Sequence, residues 1–89
     1  MSDEQVAATE NMTPEDRERM IRGMVDGLEE RLRSSPADLE GWQRLIRARA
    51  VLGEMDKARQ AYATAKEQFK ADARAIAALA QSAQQLGID

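Results

Sequence analysis

Residues 39–69 read LEGWQRLIRARAVLGEMDKARQAYATAKEQF, and this stretch decides the fold. Leu39, Trp42, Leu45, Ile46 and Leu52 recur at the spacing of one face of an α-helix, and Met55, Ala58, Ala61, Tyr62, Ala65 and Phe69 repeat the pattern. Gly53 supplies the left-handed residue that ends a helix, and only the short turn around Glu54 separates the two runs. Helices joined so briefly fold back antiparallel. Trp42 and Leu45 then fill the space inside the hairpin. Ala58 sits where the helices cross, a point at which a larger side chain would force them apart, and Tyr62 and Ala65 complete the packing.

Working outward, Thr13-Pro14-Glu15-Asp16 is a helix start: a hydroxyl to accept from a first-turn amide, Pro at the first helical position, and acids at the positive end of the dipole. The spacing of Met20, Ile21, Met24, Val25, Leu28 and Leu32 predicts a helix over 14–33, with Met20 and Met24 as core residues. Ser34-Ser35-Pro36 ends it, with Ser35 as the cap of the next helix and Pro36 in its first turn. After Asp72 a last helix over 73–86 carries Ile76, Leu79, Ala80, Ala83 and Leu86, and Gly87 closes it. Residues 1–12, polar and aperiodic, are expected to be a disordered tail ahead of a single domain over 13–89.

Composition excludes more than it selects. The 89 residues hold 13 Lys+Arg against 16 Asp+Glu, a net charge of −3, which argues against a nucleic-acid binder held by phosphate contacts. There is no Cys and no His, so disulfides, thiolate nucleophiles, Cys/His metal sites and imidazole bases are all absent. Aromatics make up 3% of the chain, too few for a β-sandwich, and the class is all-α. No apolar run approaches a membrane span, and the acidic start lacks the pattern of a signal peptide.

Trp42-x2-Leu45, with Ala58-x3-Tyr62 sixteen residues after the Trp and Ala65 beyond, resembles the tetratricopeptide repeat, with one complete unit over about 39–72. Three positions depart from that template: Ile46 stands for a small residue, Arg49 for an aromatic and Lys70 for the terminal Pro. Moving the frame 34 residues forward puts Ile76, Leu79, Ala80, Ala83, Leu86 and Gly87 on packing and turn positions. Moving it 34 back does the same for Met24, Leu28 and Pro36. The resemblance implies four antiparallel helices in a short right-handed solenoid, with the first helix as the second half of a preceding unit and the last as the first half of a following one.

Read together, Met12-Thr13-Pro14-Glu15-Asp16-Arg17, Met20-Ile21-Arg22-Gly23-Met24-Val25, Pro36, Asp38, Gly41-Trp42, Leu45, Arg47 and Val51-Leu52-Gly53 are similar to the tetratricopeptide region of the CcmI (CycH) proteins of bacterial cytochrome c maturation. That resemblance implies a periplasmic segment of a membrane-anchored parent, making no membrane contact itself. It also implies binding of apocytochrome c, or its C-terminal helix, for presentation to the haem-ligation machinery, alongside other maturation proteins. The alternative is a scaffold repeat of another cell-envelope assembly or protein-folding complex.

Repeat hairpins bind peptides on the side lined by the first helix of each unit. The outward positions there are Gln43, Arg47 and Ala50, with Arg44 nearby, and Arg74, Ala77 and Gln81 on the last helix. Arg47 and Arg74 suit carboxylates of a bound segment, while Gln43 and Gln81 suit its backbone. Arg49 faces inward by register, its stem packed and its head reaching a neighbouring acid or water. Glu29 and Glu30, or Asp16 and Glu18, read as solvated partners of nearby Arg residues rather than catalytic carboxylates. No catalytic, metal or cofactor residue is assigned. Helix one has an apolar face for two neighbours, so weak self-association, or a further upstream helix, is expected through Met20, Ile21, Met24 and Val25.

Overall fold

The computed structural model describes residues 13–88, so the tail expected over 1–12 lies outside the described residues. Among them are four helices and no strand: α1 (Pro14–Ser34), α2 (Leu39–Val51), α3 (Met55–Gln68) and α4 (Ala73–Leu86). The all-α, helical-hairpin expectation holds. Thr13 caps α1, its hydroxyl accepting from the Asp16 N–H at 3.1 Å. The helix ends at Ser35, whose N–H donates to the Arg31 carbonyl.

The start of α2 differs from the sequence reading. Asp38, not Ser35, is the cap, its carboxylate accepting from the Gly41 N–H at 3.0 Å. Pro36 stays outside the helix because its carbonyl accepts the indole N–H of Trp42 at 2.8 Å, which ties the connection to the hairpin interior. Gly41 has no room for a side chain: a Cβ there would fall 2.6 Å from Asp38 Oδ2 and 2.7 Å from Leu32 Cδ2. The end of α1 therefore packs directly on the first turn of α2.

The 34-residue period recurs as structure. Asp38 caps α2 and Asp72 caps α4, accepting from the Ala75 N–H at 3.1 Å. Gly53 and Gly87 both adopt the left-handed conformation, φ 78° and 73°. After α2, Gly53 N–H donates to the Ala50 carbonyl and Glu54 N–H to that of Arg49. After α4, Gly87 donates to Gln84 and Ile88 to Ala83. Both ends are the paired 5→2 and 6→1 closure that satisfies a helix's last carbonyls.

The core runs through the middle of the molecule. Trp42, Leu45 and Ile46 of α2 meet Ala58, Ala61, Tyr62 and Ala65 of α3, with Leu79 and Ala83 of α4 and Ile88 behind them and Val25 and Leu32 of α1 in front. Helix α2 is central, packing on α1, α3 and α4, and α3 also packs on α4. The alanines matter because small side chains let α3 approach α2 closely enough for Trp42 and Leu45 to be covered.

Met20 and Met24 are not core residues. They are 41% and 67% exposed. Helix α1 has 21 residues against 13 in α2, so its first turns, Met20 among them, extend about 12 Å past the end of α2 at ~1.5 Å per residue, whereas Met24 lies beside α2 on a face open to solvent. The periodicity marks an apolar face there, and nothing in the described chain covers it.

Candidate functional site

The outward face of α2 gathers Gln43, Arg44 and Arg47 with Glu40 around a shallow depression of about 230 Å³. These four fall at successive i, i+3 and i+4 positions, so one helical stripe presents them together. Glu40 was not among the residues singled out from the sequence, although the same spacing contains it. Gln43 is half-buried, and its side-chain amide donates to the Ser82 hydroxyl of α4 at 3.3 Å. It joins α2 to α4 rather than standing free. Ala50 packs against the core at the edge of this face.

Arg74 and Gln81 are exposed on α4. The Gln43–Ser82 bond carries the surface from α2 across to their helix, but no described contact brings Arg74 to Arg47. None of Arg44, Arg47 and Arg74 stands in an ion pair with another described residue. The face is therefore basic, although the whole chain is acidic. Among the described residues no group of His, Cys, Asp or Glu is placed to hold a metal ion, and no helix is long and apolar enough to cross a membrane.

Beneath this face lies a charged cluster of another kind. Arg49 is 1% exposed, and its guanidinium meets Asp26 at 2.8 Å, Glu54 at 3.0 Å and Glu29 at 3.7 Å. Its Nε has no partner. The hydrogen bond from Arg49 holds the Asp26 carboxyl below its ordinary value. Burial would raise Glu54, but hydrogen bonds from Arg49 and Lys57 outweigh it and lower the group. The cluster fastens α1 to α2 and to the turn after it. Glu29 and Glu30 also pair with Arg33, and Glu18 with Arg22, as solvated neighbours.

A pH dependence follows with a definite sign. Carboxyls lowered in the folded state contribute stability above their unfolded values, and that contribution is lost as pH falls through the folded ones. The urea midpoint is expected to be flat from about pH 7 to about pH 5 and to drop as pH passes the ordinary values of 4.5 for Glu54 and 3.8 for Asp26 and continues below them. In an Asp26→Asn variant the fall should be shallower. Equal slopes in the two proteins would show that Asp26 is not held by Arg49.

Two curated proteins are similar to this chain. The cytochrome c-type biogenesis protein CycH of Bradyrhizobium diazoefficiens is 40% identical over 89 residues, all of this chain and 24% of that protein. CycH of Rhizobium meliloti is 44% identical over 84 residues, 94% of this chain and 22% of that protein. No family profile matches the chain, and no solved structure matches it. The similarity covers all or nearly all of this chain, and on that ground the chain belongs to the CycH (CcmI) family, matching about a quarter of the length of those relatives.

Proposed function

We propose that this chain acts in cytochrome c maturation as a helical-hairpin platform in the periplasm that binds a segment of apocytochrome c. The observation that carries this reading is the similarity of the whole chain to proteins named for cytochrome c-type biogenesis. The geometry adds a surface suited to binding rather than to chemistry. Arg44 and Arg47 on α2 and Arg74 on α4 offer unpaired guanidinium groups and Gln81 an exposed amide, beside Gln43, which holds Ser82, and Ala50, with no nucleophile or base among them. Arg47 and Arg74 take carboxylates of the ligand, and Gln43 and Gln81 its backbone groups. Helix ends and C-terminal carboxylates of a partly folded cytochrome have that character. The assembly role makes the domain a binding module and not an enzyme.

With only α2 and α4 on this surface, affinity should be weak, roughly micromolar to millimolar. Titrating the chain with a peptide copying an apocytochrome c C-terminal helix should shift amides of α2 and α4. The double replacement Arg47→Ala, Arg74→Ala should weaken binding about tenfold without loss of helicity. Wild-type affinity should also fall with added salt, because the contacts are exposed. A titration in which α2 and α4 stay silent would remove the assignment to this face. Binding that is equal for unrelated acidic helices would instead favour a scaffold module of another cell-envelope or folding complex.

A further inference from the structure

An open groove of about 520 Å³ runs between α1 and α2 on the side away from α3. Ile21, Met24, Val25, Gly27 and Leu28 form its α1 wall, with Ala48 of α2 opposite and the side chains of Arg31 and Arg44 at one end. Helix α1 is exposed along this wall at Ile21 and Met24, 39% and 67%. Three independent features say what fits there.

The first is the internal period. Met24, Gly27, Leu28 and Arg31 lie 34 residues before Ala58, Ala61, Tyr62 and Ala65, the buried face of α3 that packs on α2. The same face of α1 therefore stands where a helix like α2 would lie against it. The second is Gly27. A glycine inside a helix is unfavourable, and a Cβ at Gly27 would meet nothing within 4 Å, so no contact within the described chain requires it. Its counterpart Ala61 sits at a close helix crossing and is 4% exposed. A helix approaching α1 equally closely accounts for the missing side chain. The third is charge. Neither Arg31 nor Arg44 is ion-paired with a described residue, and both face the same end of the groove.

The chain's own repeat does not supply this helix through a short turn. The positions corresponding to Gly53 and Glu54 are Arg19 and Met20, which lie inside unbroken α1. A second copy fits poorly. The seam Arg17, Ile21, Met24, Leu28, Arg31 paired antiparallel with itself would set Arg17 against Arg31 at both ends. We propose that the α1–α2 groove is a second docking surface that takes one amphipathic helix of another polypeptide, antiparallel to α1, with its apolar face on Met24, Leu28 and Ala48 and first-turn carboxylates on Arg31 and Arg44. Antiparallel orientation brings the helix N-terminus to the two Arg residues, where acids both offset the dipole and pair with the guanidinium groups. This surface shares Arg44 with the α2–α4 face and is otherwise distinct from it, and the proposal stands without that assignment.

The test uses the full chain and a lactam-bridged peptide of 13 residues, the length of α2, with Leu at i, i+3, i+4 and i+7 and two Glu in its first turn. Methyl resonances of Met24 and Ala48 should move on titration. Met24→Glu, on an exposed position that leaves folding intact, should weaken binding tenfold or more, as should Gly27→Gln, which also gains helix propensity. Arg31→Ala should reduce the salt dependence, whereas Arg47→Ala with Arg74→Ala should leave affinity for this probe unchanged. Shifts confined to α2 and α4, or no loss with Gly27→Gln, would overturn the proposal. So would a concentration-dependent dimer abolished by Met24→Glu, or magnetisation transfer placing residues 1–12 in the groove with the probe shut out.

Discussion

Replacing Trp42 by Ala is expected to destabilise the domain by about 3–5 kcal/mol, enough to leave much of so small a chain unfolded at room temperature. Trp42 is 3% exposed between α1, α2 and α3, and its indole N–H holds the Pro36 carbonyl at 2.8 Å. Truncation therefore opens the centre of the core and releases the α1–α2 connection at once. Wild-type Trp emission should be blue-shifted and should move to the red in one step with the far-ultraviolet circular dichroism. Trp42→Phe keeps most of the volume and loses the hydrogen bond, so its cost should be nearer 1–2 kcal/mol, to the extent that Pro36 O recovers a water partner (~1 kcal/mol for a lost bond). An Ala variant as stable as Phe, or native emission like free indole, would show that Trp42 does not fill the hairpin.

How far the sequence could be read follows from which interactions are local. The Trp42-to-Ala65 hairpin, the turn at Gly53 and the period of 34 residues were legible, because spacing on a helix and the need for a left-handed residue are properties of the chain itself. The cap of α2 was not. Ser35 and Asp38 both have suitable side chains, and the choice of Asp38 goes with Trp42 reaching back six residues to the Pro36 carbonyl and Leu32 of α1 seated on Gly41, contacts that spacing alone does not reveal. Met20 and Met24 show the same limit. Periodicity finds an apolar face but says nothing of whether a neighbour covers it: α1 overshoots α2 at Met20, and Met24 lines the open side of the α1–α2 groove. At the candidate site the outward positions Gln43, Arg44 and Arg47 could be placed by register alone. The bond from Gln43 to Ser82 could not, since it depends on how α2 and α4 are phased across their interface. Ile88, 1% exposed, escaped notice because it lies after the last helix, where the closing turn folds it inward.

Arg49→Ala is expected to cost about 2–4 kcal/mol, below the top of the range for breaking a buried ion pair because the acids left behind, Asp26 above all, can turn to water. The loss combines the packed stem of a fully buried side chain with weaker compensation of Glu54 and Glu29, which keep Lys57 and Arg33 as partners. The second unit shows how the same closure works without charge. Arg49 and Glu54 correspond to Ala83 and Ile88, joined by the same carbonyl-to-amide bond at 2.9 Å, and both apolar residues are buried. The contact that accompanies this kind of helix end is ordinarily hydrophobic, and the first unit replaces it with an ion pair. That substitution has a use. Ala83 carries no charge to offer the helix beside it, α3, whereas Arg49 also reaches Asp26 and Glu29 and fastens α1. The double variant Arg49→Ala, Glu54→Ile copies the second unit's solution into the first and should recover more than half of the stability lost in Arg49→Ala, by urea unfolding. It should not recover the attachment of α1, so amide protection in α1 should stay below wild type while α2 to α4 return to it. A double variant no more stable than the single one would mean that the ion pair is not standing in for the apolar contact. Full protection of α1 without Arg49 would mean that Val25, Leu28 and Leu32 hold that helix on their own.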